Sequence, residues 1–183
     1  MGRTIFIVLF RGVGGATQLP TQALREALTD DGFQDVATYI NSGNAIVGSD
    51  KSAAAVAERI AAIARARFGF SKDIMVVQQG EWARLVRENP FPEAEPAPTT
   101  LHAFTLASPP DERAVTALQA MVSGRERLAA RGRFVYFHSP DGFGISKLPP
   151  RLEKTLNVAA TARNWRTVLK LDALAAAAAA AAG

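Results

Sequence analysis

Cysteine is absent from all 183 residues, which excludes a disulfide scaffold, thiol catalysis and every cysteine-based metal site. Histidine occurs only twice, as His102 and His138, and no H-x-x-x-H or comparable ligand spacing surrounds either, so no metal centre is expected. The chain also lacks the G-x-x-x-x-G-K-[ST] loop that cradles nucleotide phosphates and the G-x-S-x-G turn that presents a nucleophilic serine. Ser139-Pro140-Asp141 follows His138, but neighbouring strand residues point to opposite faces, so His138 and Ser139 are poorly placed to share a proton. No pair of carboxylates stands out as a general acid and base. Long apolar runs are missing too. The longest before the C-terminal alanines, Ile5 to Phe10, is too short for a membrane span or for the apolar part of a signal peptide. These absences fit a cytoplasmic protein with no membrane association and no resident cofactor, and they leave catalysis unannounced.

What is present is ordinary globular material. Hydrophobic residues make up 48% and charged residues 21%, and a chain of this length buries about 70% of its unfolded surface. The net charge of +4 is unevenly spread, with residues 113–170 holding 11 Lys/Arg against only Glu126, Asp141 and Glu153. This local excess of +8 is either a solvated arginine-rich surface or a face that attracts an anion.

Residues 4–10 (TIFIVLF) read as a buried strand, followed by a glycine turn and a helix over 20–31 that Gly32 ends. Residues 36–40 and 45–47 flank Asn41-Ser42-Gly43-Asn44, a hairpin composition. An amphipathic helix over 52–68, a strand over 74–77 and a short helix over 81–88 complete the first half. Residues 89–100 carry four prolines and are expected to be a linker or long loop. The pattern then restarts, with a strand over 101–106, a helix over 111–122, a hairpin of 125–130 with 133–138, a helix over 151–156 and a last helix from about Thr161. Consecutive strands without intervening helices favour an αβ sandwich repeated twice over a parallel sheet. The domain reading is therefore 1–89, a proline-rich linker 90–100, 101–174 ending in a basic helix, and an alanine tail 175–183 without functional content.

Three places collect residues that a generic core or surface does not need. Arg11-Gly12-Val13-Gly14-Gly15 sits between a strand and a helix, where glycines let backbone N–H groups approach a ligand and an arginine can hold a phosphate or carboxylate. The alternative is a tight connection. Ser42-Gly43-Asn44 is either a second donor loop or simply a hairpin tip. On a helix starting at Thr161, Arg163, Arg166 and Lys170 share one face beside Trp165, Val168 and Leu169. That segment is either a basic anion-binding face with Trp165 as a stacking surface, or an amphipathic helix docked by its tryptophan. Lys147 adds a base upstream.

Seven segments together carry a resemblance. They are Arg11-Gly12 with Val13-Gly14-Gly15, Tyr39-Ile40-Asn41-Ser42-Gly43-Asn44, Asn89-Pro90-Phe91, Ser146-Lys147-Leu148, Leu152-Glu153-Lys154, Thr161-Ala162-Arg163-Asn164-Trp165 and Thr167-Val168-Leu169-Lys170-Leu171. In this order, and over residues 4–174, the chain closely resembles the bacterial domain-of-unknown-function family 1697. The resemblance implies an α+β fold of two ferredoxin-like (βαββαβ-type) halves packed together, with mostly antiparallel sheets. It implies no established activity, cofactor or catalytic residue. The first motif departs from the family's usual R-G-I-N-V-G-G by lacking two residues between Gly12 and Val13.

The combined expectation is a binding protein for an anionic ligand: a nucleotide, another phosphorylated metabolite or nucleic acid. Its site would draw on Arg11, Gly12, Gly14, Gly15, Ser42, Gly43, Asn44, Lys147, Arg163, Asn164, Trp165 and Arg166. The rival readings are an enzyme acting on a phosphorylated small molecule, with Asn44 or Asn164 polarising it, and a non-catalytic interaction module. A homodimer is compatible with each.

Overall fold

A computed structural model describes residues 3–13, 18–41 and 43–182. The chain falls into two compact units, residues 1–86 with 170–183, and residues 87–169. The fold is mixed α/β with two four-stranded antiparallel sheets, one in each unit. No described helix is long and apolar enough to cross a membrane.

The first unit runs β1 (Thr4–Phe10), α1 (Thr21–Asp30), β2 (Gln34–Thr38), β3 (Asn44–Ser49), α2 (Ala53–Phe68) and β4 (Ile74–Gln78), with α3 (Gln79–Arg87) following. Its sheet order is β2-β3-β1-β4, every pairing antiparallel. Phe6, Val8 and Phe10 alternate onto the helix side, where they pack in one core with Leu24 and Leu28 of α1 and Val56, Ile60 and Ala64 of α2. Ile5, Ile7 and Leu9 on the other face are buried as well. Burial on both faces is why β1 reads as an unbroken apolar run and not as an alternation. Helix α2 has its own start and stop signals. Ser52 Oγ accepts from the Ala55 amide at 3.3 Å, and Gly69 closes the helix in the left-handed region at φ 63°. Its inward residues Val56, Ile60, Ile63 and Ala64 follow helical spacing, and each fully buried aliphatic contributes about 2 kcal/mol.

The second unit repeats the scheme with β5 (Leu101–Leu106), α4 (Glu112–Gln119), β6 (Arg127–Arg131), β7 (Phe134–His138), α5 (Pro149–Leu156) and β8 (Ala160–Asn164), ordered β6-β7-β5-β8. The βαββαβ order implied by the family resemblance is thus present twice. Phe104, Leu106, Val135 and Phe137 meet Leu118 of α4 and Leu152 and Leu156 of α5 in its core. Asp111 Oδ1 caps α4 by accepting from the Arg113 amide at 2.9 Å. Residues 89–100 contain no α-helix or strand, only a 3-10 turn at Pro92–Ala94, yet they are tied down. Asn89 Oδ1 accepts from the Phe91 amide at 3.0 Å, and its Nδ2 donates to Glu95 at 2.9 Å. The carbonyls of Pro98 and Thr100 accept from the amides of Trp165 and Ser139.

One element differs from the sequence expectation. The last helix, α6 (Trp165–Ala182), starts four residues after Thr161, because residues 160–164 form β8 against β5. Cross-strand hydrogen bonds to Leu101–Leu106 outweigh the weak local helix preference of Ala-Thr-Ala-Arg-Asn. Arg163 therefore lies on a strand, not on a helix face shared with Arg166 and Lys170.

Candidate functional site

At one end of the first sheet, the chain leaving β1 meets the turn between β2 and β3. The Phe10 amide donates to the Gly43 carbonyl at 2.9 Å, and the Arg11 amide donates to the Asp73 carbonyl at 3.0 Å. Antiparallel pairing explains the meeting. It places the exit of β1 beside the entry of both β3 and β4, with Leu9 opposite Asn44 and Phe10 opposite Ile74. Arg11 Nη1 lies 3.1 Å from Asp73 Oδ2, an ion pair with side chains 36% and 61% exposed. Lys72 Nζ donates to the Gly12 carbonyl at 3.0 Å, where Gly12 turns the chain at φ 63°.

The β2–β3 turn is closed from within. Asn44 is buried, its Nδ2 donates to the Tyr39 carbonyl at 3.1 Å, and the Tyr39 amide donates back to the Asn44 carbonyl at 3.1 Å. The Asn44 amide is thus engaged with its own turn. Gly43 sits at φ 75° against the β1 exit, and Ile40, a β-branched residue, is held at φ 46° and is 45% exposed. Such a residue in the left-handed region costs about 1–2 kcal/mol, which the surrounding closure sustains. Gly14, Gly15 and Ser42 lie outside the described residues.

The second unit places its expected site residues differently. Lys147 and Arg166 are exposed. Arg163 donates through Nη1 to Thr161 Oγ1 and to the Ala162 carbonyl, both at 2.8 Å, and burial pushes its guanidinium down to about 10. Asn164 Oδ1 accepts from the Thr167 amide at 3.0 Å, which makes it the N-terminal cap of α6. Trp165 is fully buried with its ring 6.3 Å from that of Tyr136. A ring with no exposed area offers no stacking surface, so the expected role of Trp165 gives way to packing. The two histidines lie on opposite faces of their sheet: His138 stands opposite Leu101, whereas its neighbour His102 stands opposite Phe137. They cannot bind one metal ion together.

Sequence reasoning passed over Lys72 and Asp73, whose only signal is their position just before β4. A separate cleft of about 410 Å³, lined in part by Phe33, Lys51 and Arg59, holds none of the expected residues. Both of its cations already face carboxylates, Arg59 that of Asp31 and Lys51 that of Asp50 at 3.6 Å.

Comparison with known proteins adds a family and a fold. A family model described as a protein of unknown function (DUF1697) matches residues 3–136. A conserved bacterial protein, SP0830 from Streptococcus pneumoniae, has a similar solved structure. The TM-score is 0.69 at 20% identity, covering 94% of this chain and 99% of that one. No curated protein matches the chain.

Proposed function

We propose, for a chain that belongs to the DUF1697 family of proteins of unknown function, that it binds an anionic ligand at the end of its first sheet. The supporting observation is the meeting of the Arg11–Val13 turn with the Gly43–Asn44 turn beside Lys72. Two partly exposed cations stand there with Asp73 as a nearby carboxylate. A phosphate competing for Arg11 would exchange one charge-assisted contact for another of the same geometry, at little cost because the Asp73 pair is solvent-screened. The ligand class is a nucleotide, another phosphorylated metabolite or a nucleic acid. In the second unit, Lys147 and Arg166 are exposed, whereas Asn164 and Trp165 serve the fold.

The test is a thermal-shift series with inorganic phosphate, a nucleoside triphosphate, a sugar phosphate and a short oligonucleotide, on the wild type and on Arg11→Gln with Lys72→Gln. A ligand at a hundredfold excess over its dissociation constant stabilises by about 2.7 kcal/mol, and the double variant should lose that gain. A nucleic acid contacting both cations should bind about tenfold more weakly at 200 mM than at 50 mM salt, and a small ligand far less so. No shift with any of the four, or an equal shift in the double variant, refutes the proposal.

A further inference from the structure

A second cluster of charged and aromatic groups lies in the second unit. Arg127 at the start of β6 stands opposite His138 at the end of β7. Its Nη2 lies 3.1 Å from His138 Nδ1, and the same nitrogen donates to Glu93 in the 3-10 turn. The guanidinium carbon sits 5.0 Å above the Phe91 ring, whose centroid is 6.2 Å from that of His138. Phe91 and His138 are buried, while Glu93 and Arg127 keep about half their side-chain surface in water. One guanidinium thus joins the sheet to the proline-rich segment through a ring face and a carboxylate.

Chemistry fixes the protonation state of the imidazole here. An arginine N–H only donates, so His138 Nδ1 must carry a lone pair, and the ring is neutral with its proton on Nε2. Protonating Nδ1 turns that acceptor into a donor and sets a second cation 3.1 Å from the first. The charged groups bearing on the ring are Arg127 from β6, Arg125 just before it, and Glu93 from the turn. Arg125 is itself paired with Asp141. Burial first, then Arg127, hold the imidazole below its ordinary range, with Glu93 pulling the other way and Arg125 adding the least.

We propose that His138 is a proton-operated latch on the Pro92–Ala94 turn: neutral, it accepts from Arg127 and keeps that guanidinium bridging Phe91 and Glu93. Once protonated, it competes for Glu93, expels Arg127 and loosens the turn. The other ties of the segment named above, from the Asn89 side chain to the Phe91 amide and Glu95 and at the carbonyls of Pro98 and Thr100, do not involve His138 or Arg127.

The test is an NMR titration of the full chain from pH 8 to pH 4, with His138 assigned by its loss in His138→Gln. The latch predicts the Nε2–H form at neutral pH, a midpoint below 6.5, and Ala94 and Phe91 resonances that move with that midpoint. In Arg127→Met, which keeps an apolar stem over Phe91 but donates nothing, the proton affinity of His138 should rise about threefold or more. The Ala94 response should vanish in the same variant. Should that variant not fold, Glu93→Gln gives an independent reading: removing the opposing anion should lower the His138 midpoint. An Nδ1–H tautomer at neutral pH overturns the latch, as does an unchanged midpoint in the variant studied or an Ala94 signal blind to His138.

Discussion

Replacing Gly43 by alanine probes the contact on which the candidate site is built. A Cβ at this position would lie 2.7 Å from Phe10 Cβ and 2.7 Å from Val13 Cγ2, distances that real side chains do not adopt. Phe10 is fully buried and its strand is paired on both sides, so it has little room to recede. Overpacking of this kind costs about 1–3 kcal/mol, and an alanine held at φ 75° adds about 1–2 kcal/mol of backbone strain. The expected loss is therefore about 2–5 kcal/mol. Gly69→Ala supplies the control. Gly69 is also left-handed, at φ 63°, but nothing lies within 4 Å of its would-be Cβ, so only the backbone cost applies. Urea unfolding of both variants at one pH separates the two contributions. If Gly43→Ala unfolds within about 0.5 kcal/mol of Gly69→Ala, the β1 exit and the β2–β3 turn do not approach as closely as inferred, and the candidate site loses its frame.

Three further outcomes are expected. Burial holds the His102 imidazole down to about 4, while its ring stacks on Phe143 at 3.8 Å. Between pH 6.5 and about 4 the unfolded chain takes up a proton that the folded chain refuses, so stability falls as pH drops through that window, by about 3 kcal/mol in all. His102→Phe keeps the stack and should flatten that part of the urea midpoint against pH; an unaltered slope would refute the assignment. Asn164→Ala should cost about 1 kcal/mol through loss of the α6 cap, with Asn164→Asp retaining most of it, and equal stability of all three proteins would exclude the cap. Trp82 and Trp165 are both fully buried, so native fluorescence should be blue-shifted and resist iodide, whereas ready quenching of either tryptophan would contradict its packing.

Residues 4–10 show in their order alone that they form a doubly buried strand, and α1, α2 and the β2–β3 turn announce themselves through apolar spacing and turn residues. Such signals are local: a side-chain period, a cap, a glycine. β8 is different. Residues 160–164 carry almost no strand preference, and only the unpaired edge of β5 recruits them. That choice took Arg163 off the helix, turned Asn164 into a cap and carried Trp165 into the interior. The Arg127–His138 pair was equally invisible, because it depends on the register of a hairpin whose first strand, Arg-Leu-Ala-Ala-Arg, has an unremarkable composition.

The sequence by itself determined the α+β class, the first βαββαβ unit and the family, since periodicity and motif order are properties of the chain and need no partner to be expressed. Tertiary structure alone decided which of the conspicuous residues stay accessible. Arg11 remains in reach of solvent, whereas Trp165 and Asn44 are spent on packing and turn closure. Exposure belongs to what covers a residue, and what covers it comes from distant parts of the chain.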